Sequence, residues 1–230
     1  MQRVVVLPEF QLSNLKLFFM YNLPYYKEQD AEEVLHFIKN YPFVFLSGVN
    51  AENKPVATQV PVFIDEKDGK LLLTGHIMKN TDHYKAFLQN NNALAVFTGP
   101  HTYVSATWYS NPHQASTWNY MSVHAIGKII FGGGDELVAI LKRLSLHYEN
   151  NNPASATIFA NLSVDYLAPL MKAIVSFEME IESIEHVFKL SQDRDEKSYD
   201  NIVKELKQQE GDARKIGTIM EKRKAKVFPV

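Results

Sequence analysis

Residues 43–77 read FVFLSGVNAENKPVATQVPVFIDEKDGKLLLTGHI, three apolar runs parted by turn chemistry. The runs Phe43–Val49, Val56–Asp65 and Lys70–Ile77 have strand length and are rich in valine, isoleucine, leucine and phenylalanine. Between them, Asn50–Lys54 and Glu66–Gly69 supply the Asn, Asp and Gly that turns favour because these residues tolerate positive φ or bond to their own backbone. The spacing predicts an antiparallel meander, the seed of a small barrel.

The flanking sequence extends this reading. Gln29–Asn40 is a helix: Asp30 can cap it, Glu33 stands at capping-box spacing, Val34, Leu35 and Ile38 share a face, and Pro42 ends it. Asp82–Asn90 is a short helical crossover, Ala93–Thr98 a strand, Met121–Phe131 another, and Asp135–Tyr148 a helix after a Gly132-Gly133-Gly134 turn. Val175, Phe177, Met179 and Ile181 alternate with Ser176, Glu178, Glu180 and Glu182, the mark of a strand with one wet face. The glutamate row is that wet face, not a catalytic or metal-binding cluster. At least six strands with short helices make the chain mainly β, a small antiparallel barrel.

The chain has 230 residues, 46% hydrophobic and 22% charged, enough for a sizeable core. A formal charge of -2 supplies no global field for nucleic acid, and the absence of cysteine excludes disulfides and thiolate chemistry and fits a reducing, cytoplasmic setting. Residues 1–19 form an N-terminal extension whose apolar pattern is too broken for a signal peptide or membrane span, the barrel domain covers 20–190, and 191–230 are a charged helical tail. From Lys189 onward 11 Lys and Arg stand against 8 Asp and Glu, a surplus of 3. Two short amphipathic stretches in it, around Ile202–Leu206 and Ile216–Met220, are parted by Gly211 and suit packing on a partner subunit.

Phe97–Gly127 holds both tryptophans, three tyrosines and three of the eight histidines, a composition suited to a flat, partly polar ligand. Thr58 and Gln59 precede Pro61 in one strand, and Thr74, His76, Lys79, Asn80, His83 and Lys85 gather where another strand leads into a helix. Hydroxyls, a lysine and helix-start amides are what a phosphate monoester needs. No HExxH motif pairs two histidines for a metal, no GxSxG turn presents a serine, and no helix-turn-helix is evident in the tail.

The segments MYNLPYY, PFVFLSG, PVATQVP, LTGHIMKN, VFTGPHTYVSATWY, STWNY, VHAIG and IVSFEMEIESIEHVFKLSQ occur in order from Met20 to about Gln192, and together they resemble the PaiB family, the FMN-binding negative transcriptional regulators of bacteria. The resemblance implies an FMN-binding split barrel, a homodimer and FMN at the subunit seam. It places Thr58, Gln59, Val60 and Pro61 along the flavin edge, Thr74 and Lys79 toward the phosphate with His76 and Asn80 beside them, and Trp118 and Asn119 closing the pocket. Gln59 stands where the family tends to have histidine, and Lys79 where it tends to have arginine. The implied function is a flavin sensor that regulates transcription negatively through a protein partner, without direct sequence-specific DNA binding; a flavin oxidoreductase and a cofactor-free dimeric module are the alternatives. No catalytic residue and no metal site is expected.

Overall fold

The structure, a computed structural model, describes Tyr21 and residues 23–229; the expected extension at 1–19 lies outside them. Its strands are β1 (Phe43–Val49), β2 (Pro55–Pro61), β3 (Phe63–Lys67), β4 (Lys70–Met78), β5 (Asn92–Val104), β6 (Thr117–Phe131) and β7 (Ile174–Lys189). They form one sheet in the order β2-β1-β5-β6-β7-β4-β3. The helices are α1 (Ala31–Asn40), α2 (Asp82–Gln89), α3 (Gly134–Tyr148), α4 (Val164–Ala173), α5 (Glu196–Lys207) and α6 (Gly211–Val227). None is long and apolar enough to cross a membrane.

The expected single strand Val56–Asp65 is two strands, and they lie at opposite edges of the strand order. Pro61 explains the break: it has no N–H for a ladder and its ring fixes φ, so the chain leaves one edge there and rejoins at the other. The end of β2 then meets β4. A Cβ built on Gly75 would stand 3.1 Å from the Pro61 carbonyl oxygen and 2.9 Å from the Phe177 ring, so this approach requires glycine. β5, β6 and β7 also run further than the apolar pattern predicts. In β6 burial alternates from Asn119 through Met121, Val123, Ala125 and Gly127 to Ile129, so the buried row starts on an asparagine and hydrophobicity alone does not announce the first residues of the strand.

The chain forms two compact units, one of residues 45–94 and 125–184, the other of 21–44, 95–124 and 185–229 within the described range. In the first, Leu73, Phe87, Phe177 and Met179 are among the buried core. Thr81 caps α2 by accepting from Tyr84 N–H, and Gly133 opens α3 with its N–H donated to Glu136 at 3.0 Å. α4 buries no residue and contains Pro169, which is why no helical stripe marks it in the sequence. The glutamates of β7 are paired outward: Lys70 with Glu180 at 2.8 Å and Lys128 with Glu182 at 2.9 Å.

In the second unit α5 and α6 bury Tyr199, Ile202, Leu206, Ile216 and Met220, and Gly211 at φ 61° provides the bend between them. The Tyr199 hydroxyl donates to the Met220 carbonyl at 2.8 Å. Glu28 is 5% exposed and receives Arg223 and Lys226, while Arg223 also reaches Glu33. Burial alone would raise the Glu28 pKa, but hydrogen bonds from Lys226, the Asp30 N–H and Arg223 outweigh it and bring it down to about 2. Lys224 pairs with Asp200 and Glu196, so the basic run at 221–226 is largely neutralised by the chain's own carboxylates.

Candidate functional site

The site in the first unit is built where β2 and β4 close on each other. Thr58, Gln59, Val60 and Pro61 at the end of β2 face a cavity of about 340 Å³, within the roughly 300–1,000 Å³ of small-molecule sites. His76, Ile77 and Met78 of β4, Thr81 and His83 at the start of α2, and Ile174 complete its lining. The apolar walls come from Val60, Ile77, Met78 and Ile174. Polar groups concentrate on the Thr58 hydroxyl, the Gln59 amide and the His76 imidazole.

His76 is the unusual member. Its Nδ1 is buried and has no hydrogen-bond partner among the described residues, and burial pushes its pKa down, so the ring is neutral at neutral pH. Ser176, its directly opposed partner on β7, carries a second buried hydroxyl without a partner. Groups of this kind cost stability unless something meets them.

A second cavity, of about 390 Å³, shares Ile174 with the first. Lys79 and Lys172 line it together with Gly132, Gly133 and Gly134 at the start of α3, whose N-terminus adds a partial positive charge. The Lys79 N–H donates to the Ala173 carbonyl at 2.8 Å, which places this lysine beside α4.

The expected site residues therefore separate. Thr58, Gln59, Val60, Pro61 and His76 line one cavity, and Lys79 lines the adjoining one. Asn80 makes the turn between β4 and α2 at φ 63°, a conformation asparagine tolerates. Thr74 lines neither cavity: its hydroxyl donates to Asp65 at 3.1 Å, and Arg143 holds that carboxylate in a two-pronged grip at 2.6 and 2.8 Å. Trp118 and Asn119 belong to the second unit and, as strand neighbours, point to opposite faces. Asn119 is fully buried, accepting from Ser191 at 3.0 Å and donating to the Met220 sulfur at 3.4 Å, whereas Trp118 is 54% exposed beside His101 and Tyr103. His83, expected in the same cluster, does line the first cavity, whereas Ile77, Met78, Thr81, Ile174 and Lys172 are additions the sequence reading does not contain. Only Thr81 had a usable signal, as a residue of N-cap type directly before the Asp82 helix.

The family described as "Putative FMN-binding domain" matches residues 20–183. The chain belongs to this family. Among its relatives, "Protease synthase and sporulation protein PAI 2" of Bacillus subtilis is 32% identical over 203 residues, 88% of this chain and 97% of that one. An uncharacterized protein of Emericella nidulans is 24% identical over 183 residues, covering 64% of this chain and 73% of its own. Among solved structures, the flavocytochrome Anf3 from Azotobacter vinelandii superposes with a TM-score of 0.51 at 14% identity, over 75% of this chain and 74% of that one, a likeness of fold. The chain has the fold the resemblance implied, an antiparallel split barrel, with helices at its C-terminal end. FMN is the cofactor of the family. The residues present fit it: an apolar slot with an amide, a hydroxyl and an unmet imidazole nitrogen suits the mixed donors and acceptors of a flavin edge, and two lysines in the adjoining cavity suit a phosphate.

Proposed function

We propose that the chain binds FMN within the first unit, with the flavin edge against Thr58–Pro61 and His76 and the phosphate toward Lys79 and Lys172. The observation that carries this reading is His76, whose buried Nδ1 has no partner among the described residues and which lines a cavity that adjoins a lysine-lined one through Ile174. Bound FMN supplies one- and two-electron redox chemistry. The protein's part is to bind and orient it: Gln59 and Thr58, which have no side-chain partner of their own among the described residues, hydrogen-bond the ring edge; neutral His76 offers a nitrogen that accepts or donates according to its tautomer; Lys79 neutralises phosphate as a point charge. The test is the visible spectrum of the purified chain followed by titration with FMN and riboflavin. Lys79→Ala weakens FMN by about 1.5–3 kcal/mol, the scale of a charge-assisted hydrogen bond, and riboflavin much less. Equal loss for both ligands removes Lys79 from the phosphate.

The bound chain acts in the cytoplasm as a homodimeric flavin sensor that regulates transcription negatively, through a partner and not by reading DNA itself. Membership beside the Bacillus subtilis relative supports the regulatory assignment. Self-association is supported by apolar side chains left exposed, Trp118, Tyr103 and Phe43 in one unit and Val164, Tyr166 and Leu170 in the other. The net charge of -2 and the internally paired basic run of α6 argue against a DNA-binding face. Sedimentation reports a dimer, and promoter fragments bind no more tightly than roughly 10⁻⁴ to 10⁻⁶ M at physiological salt. A monomer, or a thousandfold preference for one fragment, on the scale of true specificity, overturns this assignment.

A further inference from the structure

In the second unit, α1 and α6 leave between them a cavity of about 390 Å³ that none of the chemistry above uses. Its walls are Phe37, Tyr41, Met121, Phe188 and Ile219. The Phe37 ring lies 4.7 Å from Tyr41 and 5.2 Å from Phe188, centroid to centroid, tilted to both, so a flat ring entering here meets aromatic faces and edges.

The charges around it select the rest of the ligand. Glu33, Lys222 and Arg223 line the cavity, and Glu28 and Lys226 complete the ion-pair network that reaches it. Glu28 and Glu33 contribute -2, Arg223 and Lys226 +2, so that network sums to zero. Lys222 makes no ion pair among the described residues and leaves a surplus of one positive charge. Arg223 spends its two terminal nitrogens on Glu33 and Glu28, but its Nε–H is buried without an acceptor. One excess positive charge and one unmet N–H call for a monoanion with two acceptor oxygens, the description of a carboxylate.

We propose that this cavity binds a small aromatic monocarboxylate, its ring against Phe37, Tyr41 and Phe188 and its carboxylate toward Lys222 and Arg223. The ligand bridges α1 and α6 and so adds a ligand-dependent hold on the C-terminal helix. This makes the second unit an effector site independent of flavin.

The experiment is calorimetry and ligand-detected NMR on the full chain with phenylacetate, repeated with neutral phenylacetamide, in the presence and absence of FMN. Phenylacetate is expected to bind with the same affinity in both conditions and the amide about tenfold or more weakly. Lys222→Met is expected to lose about tenfold in phenylacetate affinity while Lys222→Arg retains it, and Ile219→Trp, which fills the cavity, abolishes binding. Lys222 is on the surface, so its variants report the ligand and not folding. No binding at millimolar phenylacetate, equal affinity for acid and amide, an unaffected Lys222→Met variant, or displacement of FMN by phenylacetate each overturns the proposal.

Discussion

His76 on β4 and Ser176 on β7 stand directly opposite each other across an antiparallel ladder, and neither the buried Nδ1 of one nor the buried Oγ of the other finds a hydrogen-bond partner among the described residues. A hydroxyl that has lost water and gained nothing destabilises the fold. Ser176→Ala is therefore expected to leave the flavin-free protein unchanged or to stabilise it by up to about 1 kcal/mol, read from urea unfolding. A loss larger than that shows the hydroxyl to be bonded after all.

Acid should weaken the fold through three histidines. Burial lowers the pKa of His76, of His124, where Glu185 opposes and Lys27 reinforces the shift, and of His186, whose Nε2 also accepts the Glu28 N–H at 2.8 Å. The unfolded chain takes up these protons near pH 6.5, the folded chain only at lower pH, so between the two the unfolded state binds more protons and stability falls as pH falls. Urea midpoints are expected to drop on going from about pH 7.5 to pH 5.5, and His76→Gln to shallow the slope. A midpoint that rises on acidification has the opposite sign and refutes the assignment.

The Glu28 carboxylate is the anchor between α6 and the segment leading into α1. Glu28→Gln removes a buried charge from Arg223 and Lys226 and is expected to cost about 3–5 kcal/mol, with α6 becoming cleavable by protease while residues 45–94 resist longer. Because its pKa is lowered to about 2 from an ordinary carboxylate value near 4.5, this contribution is present above that ordinary value and is lost as pH falls toward 2. A variant of unchanged midpoint at pH 7 shows that the network carries no net stability.

Gly127 on β6 passes so close to β7 that an added Cβ would lie 2.0 Å from the Glu180 carbonyl oxygen and 3.1 Å from the Ile181 Cα. Both obstacles are backbone, so no rotamer change relieves them. Gly127→Ala is expected to cost about 3 kcal/mol or more, the upper end of overpacking penalties, seen as a lowered unfolding midpoint. Tolerance within about 1 kcal/mol places the two strands further apart.

Local chemistry determined much of this protein. The runs of residues 43–77, the caps at Asp30 and Thr81, and the glycine turn before α3 each act over a few residues, so β1, β4 and the first three helices were readable to within a residue or two. Thr58–Pro61 and His76, which the family resemblance singles out, line one cavity. Contacts across the chain decided the rest. Pro61 sends the chain from one sheet edge to the other because Gly75 leaves room for it. Glu33, at capping-box spacing, is taken by Arg223 from 190 positions away; Thr74 is spent on Asp65; and Asn119 is drawn into the core by Ser191 and Met220. A polar side chain's role depends on which partner removes it from water, and those partners are brought close only when the sheet and helices pack.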